Sequence, residues 1–215
     1  MGQPNSPRLR QLMLPGSASS WANLGFSITG GRFAVGSVDC LTDRSEVGWT
    51  LQGEMLDVDQ VAGVPTSVVA SAVEAQVMSA ENQNGAFRVD HVVVASSAPS
   101  RTRAELERAG FVARGEREVG EGDERRSQVF FWAGEPLIEL VGPTQEEKGG
   151  GIRAEIWGVA FVVPDFDALQ AQAGELLSPA RSAVQPGRQI VAVSASAGLG
   201  IAAAFMTPHV RTERS

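Results

Sequence analysis

The feature that most constrains this chain is a strand–helix–strand–strand–strand order that occurs twice. The first copy opens with DHVVV at 90–94, which carries His91, and closes with LIELVGP at 137–143, with Glu139 at its middle. The second opens with WGVAFVV at 157–163 and closes with GIAAAFMTP at 200–208. Laying Pro143 on Pro208 and Val93 on Ala160 sets His91 against Gly158 and Glu139 against Ala204. The first-to-last spacing nearly matches in the two copies, so the chain holds an internal repeat with a period of roughly 65 residues. One βαβββ unit leaves a sheet face open, and pairing two units buries apolar faces around a shared cleft.

Within the first copy, His91, Val93 and Ala95 face one way and Val92 and Val94 the other. A short helix over 102–109 is expected, with Thr102 and Glu105 as its capping box and Gly110 at its end. Strands follow at 112–119, 127–134 and 137–143. On the last, Leu137, Glu139 and Val141 share a face. A lone carboxylate among aliphatic side chains costs several kcal/mol unless it is paired. Glu139 is therefore on an open face, hydrogen-bonded, or bound to a cation, and the same holds for His91. The second copy repeats the plan, with Leu169, Ala173 and Leu176 on its helix stripe and strands near 180–184, 187–195 and 200–208.

Upstream, residues 1–53 read as a partial, degenerate βαβββ-like module. A strand is expected over 9–14, a helix closed by Gly25, and strands at 26–29, 32–41 and 47–53, with a hairpin turn at Gly30-Gly31. Residues 54–85 read as a connector in which 68–78 could be helical. The remaining boundaries are a module at 86–143, a glycine-rich linker at 144–151, a module at 152–208 and a tail at 209–215. The predicted class is α+β, with paired curved sheets around a cleft.

Composition narrows the function classes. A net charge of −7 argues against nucleic acid as a partner. No apolar run has the length of a membrane span. A single cysteine, Cys40, excludes an internal disulfide framework and suits the cytoplasm; its strand position reads as core, not as a nucleophile. There is no Gly-x-Ser-x-Gly elbow and no triad. Trp132 and Trp157 stand on strands lining or flanking the cleft, where core packing competes with substrate stacking. Arg188 follows the Pro186-Gly187 turn and reads as a surface arginine, and His209 as a solvated residue of the tail.

The tandem units, DHVVV, the Gly-Phe after the helix, FFWAG…LIELVGP and WGVAFVVPD…FMTP together resemble the vicinal oxygen chelate superfamily, which includes glyoxalase I, extradiol dioxygenases, methylmalonyl-CoA epimerase and bleomycin-resistance proteins. The resemblance covers 88–208 well and 9–53 weakly. It implies His91 and Glu139 as metal ligands for Zn²⁺, Ni²⁺, Mn²⁺ or Fe²⁺, with Glu139 also a catalytic base. It implies His91, Gln128, Trp132 and Trp157 as residues meeting a small molecule. Gly158 and Ala204 depart from the pattern, because neither ligates through a side chain. A third ligand would come from Gln128, Gln185, His209, the N-terminal unit or a second subunit of a homodimer. Three functions follow: a small-molecule-binding protein with a weak or incomplete metal site, or none; a metal-dependent lyase, isomerase or dioxygenase; or a degenerate scaffold for a protein partner.

Overall fold

The computed structural model describes residues 6–53, 58–69, 81–146 and 154–209. The N-terminal part forms β1 (Arg8–Met13), α1 (Ala18–Ala22), β2 (Arg32–Val35), β3 (Val38–Leu41), β4 (Gly48–Gln52), β5 (Gln60–Val61) and β6 (Val64–Val69). These strands make one sheet in the order β2-β3-β1-β4-β6-β5. Three expectations fail here. Residues 26–29 are not a strand; Thr29 makes only an isolated bridge to Arg32. The 32–41 run is two strands, because the chain turns again at Gly36, whose φ of +60° favours glycine, while the expected turn at Gly30-Gly31 is present and closes the Thr29–Arg32 bridge. The 54–85 segment supplies β5 and β6. There Val64 and Thr66 are buried while Pro65 and Ser67 are not, a period of two that fits a strand beside β4. Val68 and Val69 belong to β6, and the rest of the expected 68–78 helix lies outside the described residues.

The next elements are β7 (Arg88–Ser96), α2 (Pro99–Arg108), β8 (Ala113–Val119), β9 (Arg126–Trp132) and β10 (Leu137–Pro143). They are followed by β11 (Ala154–Val162), α3 (Asp167–Ala173), β12 (Arg181–Ser182), β13 (Gln189–Ala192) and β14 (Ala202–Met206). Helix α2 starts earlier than its sequence suggests. Pro99 takes the first turn, where its missing N–H costs nothing. Thr102 is thus inside the helix and not its cap: its hydroxyl is buried and hydrogen-bonded to Ser96 Oγ at 2.7 Å. At Gly142 a Cβ would run into the Ser96 carbonyl and the Pro99 ring, so this strand and helix approach closely only through glycine.

In each copy the last strand lies parallel to the first, as β10 on β7 and β14 on β11. The two first strands, β7 and β11, pair antiparallel and join the copies edge to edge. The result is one eight-stranded sheet, β12-β13-β14-β11-β7-β10-β9-β8. Its register is twofold symmetric. Val92 pairs with Val159, His91 with Ala160, and Val93 with Gly158. Within the copies His91 pairs with Leu137 and Gly158 with Ala202, while Val93 pairs with Glu139 and Ala160 with Ala204. A pseudo-dyad through the Val92–Val159 pair therefore exchanges His91 with Gly158 and Glu139 with Ala204, as the internal sequence repeat anticipates. The dyad also exchanges two β-bulges. Asp90 is skipped between Val89 and His91, and Trp157 between Ile156 and Gly158.

One core joins the two sheets. Val89, Val92, Val94, Ile138, Leu140 and Phe131 fill one face of the larger sheet, with Leu106 of α2 and Leu169 of α3 in the same cluster. Rings from the N-terminal part close on it: Phe26 lies 4.9 Å from Phe161 and 5.8 Å from Phe205, and Trp21 lies 6.3 Å from Phe161. Cys40 of β3 is fully buried, and burial, helped by the charge of Asp39, pushes its thiol well above the usual range. The native protein should therefore resist a disulfide thiol reagent at pH 8 and release one equivalent of thiol after denaturation. Rapid native labelling would place Cys40 at the surface. Among the described residues no helix is long and apolar enough to cross a membrane.

Candidate functional site

Alternation along β7 and β10 places His91 and Glu139 on the sheet face opposite the main core. They approach there, with His91 Nε2 at 3.4 Å from Glu139 Oε2. Each is held from behind. His91 Nδ1 lies 2.9 Å from Asp90 Oδ2; a carboxylate only accepts, so Nδ1 carries the proton and Nε2 is presented to Glu139. Gln128 of β9 donates from Nε2 to Glu139 Oε1 at 2.7 Å, and its Oε1 accepts from Arg117 Nε at 2.5 Å. Only this orientation of the amide satisfies both neighbours.

The bulge explains why Asp90 can serve His91. In a regular strand consecutive side chains point to opposite faces, and Asp90 would enter the apolar core beside Val89 and Val92. With Asp90 unpaired between His91 and Val89, both polar residues leave the core side. Asp90 is still buried, and Arg188 neutralises it. The guanidinium meets the carboxylate twice, Nη2 to Oδ1 at 2.8 Å and Nη1 to Oδ2 at 3.3 Å. Its Nε donates to the Thr207 carbonyl at 2.7 Å. Burial alone would raise the Asp90 pKa, but hydrogen bonds from His91 and Arg188 and their charges outweigh it and hold the carboxyl far below its usual range.

The expectation of a surface arginine at 188 is therefore wrong: its side chain is 0% exposed. Two signals were available in the sequence. Arg188 is in phase with Ile190 and Ala192, which pair with Met206 and Ala204 on the site face. Asp90 also stands directly before the histidine, although only the bulge turns it the same way. Gln185 and His209, considered as third ligands, both lie at Arg188 Nη1, at 3.4 and 3.3 Å. They reach His91 only through Arg188 and Asp90. His209 is exposed yet in contact; partial burial, then the Arg188 charge, lowers its pKa.

The tryptophans sit further out. Trp132, Leu137, His91, Ala160 and Ala204 follow one another in a row across β9, β10, β7, β11 and β14. Trp132 thus stands two strands from His91, in a groove with Arg8 and Glu135. Trp157 is 56% exposed at its bulge and lines a different groove with Val47, Pro65 and Leu199. Neither groove includes His91, Glu139 or Gln128 in its lining.

A divalent cation would find two protein donors here, His91 Nε2 and Glu139 Oε2. Asp90 orients the imidazole as carboxylates orient metal-binding histidines. The pseudo-dyad supplies nothing more, since Gly158 and Ala204 occupy the equivalent places. Among the described residues no group of three or more His, Cys, Asp and Glu could hold a metal ion. Catalytic zinc sites keep three protein ligands. The donor set of the described residues, two side chains, does not fit a resident catalytic metal.

Paired βαβββ copies joined through their first strands define the vicinal oxygen chelate fold, and this chain has it. Among solved structures it is similar to a mutant of 4-hydroxymandelate synthase from Streptomyces coelicolor, with 13% identity over 99% of this chain and 95% of that one, at a TM-score of 0.61. It is also similar to a xylose isomerase-like TIM barrel/4-hydroxyphenylpyruvate dioxygenase fusion protein, with 11% identity over 97% of this chain and 49% of that one, at a TM-score of 0.60. No family model and no curated protein matches the sequence.

Proposed function

We propose that this chain is a glyoxalase-like protein that binds a small molecule in a cleft over His91 and Glu139, with an incomplete divalent-metal site. The observation that carries the reading is the one-sidedness of the face. His91 and Glu139 form a polar half, while Gly158, Ala160, Ala202 and Ala204 form an apolar half built of small residues. A ligand with one polar end and an apolar body matches both halves. In this reading His91 Nε2 and Glu139 Oε2 bind the polar end, Asp90 fixes the imidazole, and Gln128 fixes the carboxylate.

One observation favours a second reading. The Asp90–His91 bond is the support that metal-binding histidines use, which suits a metal-dependent lyase, isomerase or dioxygenase with Glu139 as base, completed by a ligand from elsewhere, such as a second subunit.

Metal content decides between them. Purified protein and the His91→Ala/Glu139→Ala variant are analysed before and after incubation with Zn²⁺, Mn²⁺ and Fe²⁺. The expected result is substoichiometric metal as purified, weak uptake on incubation, and loss of that uptake in the variant. Tight, near-stoichiometric metal that disappears in the variant would overturn the incomplete site in favour of the second reading. A small-molecule screen that yields no ligand sensitive to the double substitution would overturn the cleft itself.

A further inference from the structure

A second groove, away from the His91–Glu139 pair, is lined unlike the rest of this acidic protein. It runs between β1 and the turn joining β9 to β10, has a volume of about 560 Å³, and is walled by Arg8, Arg10, Trp132 and Glu135. That is within the roughly 300–1,000 Å³ of small-molecule sites.

The two arginines share a side because Leu9 between them is buried, and a bulge at Arg10 separates the Leu9–Leu51 and Gln11–Thr50 pairs. Neither has an acidic partner among the described residues: Arg10 Nε donates to the neutral amide of Gln52, and Arg8 makes no ion pair. Glu135 also lines the groove and carries its negative charge there, but it forms no ion pair with either arginine. Its Oε2 accepts from both the backbone N–H and the hydroxyl of Ser37, each at 2.9 Å. Trp132 gives the groove an apolar wall, with the Arg114 guanidinium 5.6 Å from its ring centroid. Its indole Nε1 is the one buried side-chain donor left without a partner among the described residues.

Two guanidinium forks with no ion-pair partner among the described residues, beside an indole with an unused N–H, match an oxyanion carried on an apolar body. We infer that this groove binds a small organic carboxylate, its oxygens between Arg8 and Arg10 and its apolar part against Trp132. A planar carboxylate fits the guanidinium fork, and the apolar wall favours an organic anion over a bare inorganic one. The inference does not depend on the function proposed for His91 and Glu139.

The test is a titration followed by the indole N–H resonances in nitrogen-15-labelled protein, with Trp132 assigned through Trp132→Phe. The probes are benzoate, benzyl alcohol as its neutral counterpart, and inorganic phosphate as the anion without an apolar body. The expected result is a saturable shift of the Trp132 resonance with benzoate, a weaker one with phosphate, and none with benzyl alcohol. In Arg8→Gln/Arg10→Gln the benzoate affinity should fall at least about tenfold, with the other tryptophan resonances unmoved as evidence of intact folding. The His91→Ala/Glu139→Ala variant should titrate like the wild type. Equal responses to phosphate and benzoate that vanish in about 0.5 M salt would mark a bare cationic patch and overturn the inference. So would benzoate binding that survives the arginine substitutions, or that is lost with His91 and Glu139.

Discussion

Arg188→Met is expected to destabilise the protein at neutral pH by about 3–5 kcal/mol, the cost of leaving a buried charge without the partner that meets it twice, with the longer 3.6 Å contact to Arg88 as the remaining arginine pair. Asp90 and Arg188 have side chains 7% and 0% exposed, so solvent cannot take over the role of the guanidinium. The double variant Asp90→Asn/Arg188→Met should recover much of the loss, because removing both charges of a buried pair costs far less than removing one. The pH dependence follows from the sign of the Asp90 shift. In the wild type its folded pKa lies below the unfolded value of about 3.9, so the pair stabilises above that value and the contribution fades as pH falls toward the depressed folded pKa. In Arg188→Met, burial should raise the Asp90 pKa, and protonation in acid then relieves the penalty. Denaturant unfolding at pH 7 and pH 4 should thus give a gap between wild type and variant that narrows in acid. A gap below about 1 kcal/mol at pH 7 would mean that Asp90 is not charged and paired as described.

The second large effect is expected at Phe161→Ala, at about 3–5 kcal/mol. Phe161 belongs to the central strand β11, and its ring meets Phe26 at 4.9 Å, Phe205 at 5.6 Å and Trp21 at 6.3 Å. Two of those rings come from the N-terminal part and one from the last strand, so truncation opens a cavity where the two sheets share their core. Wild-type unfolding should be a single transition by both far-ultraviolet circular dichroism and tryptophan fluorescence, because Trp21 and Trp49 lie in that common core. A cost under about 1 kcal/mol, or separate transitions already in the wild type, would show that the N-terminal sheet is not held by this cluster.

Much of the candidate site is legible in the sequence. Alternation put His91 and Glu139 on one side of their strands, and the repeat put Gly158 and Ala204 opposite them; the strand registers agree with both. What was misread shares a physical cause. The alternation rule holds only where strands pair without interruption. It could not show that Asp90 is skipped in the pairing with β11 and so turns with His91. Arg188 looked like a surface residue because burial of a cation is set by its partner, and that partner is 98 positions away. The 54–85 segment looked like a connector because an isolated short strand has no signature strong enough to outweigh its Ala, Ser and Gly neighbours. Only pairing with β4 makes 64–69 a strand.

The sequence by itself determined the repeated βαβββ plan, the apolar face of each strand and the candidate pair His91 and Glu139, because these depend on periodicities local to each element. The tertiary structure alone decided that the two copies pair through β7 and β11, that both of those strands bulge, and that Arg188 neutralises the Asp90 behind His91. Those are properties of contacts between distant segments, and their energy appears only when both partners are desolvated together.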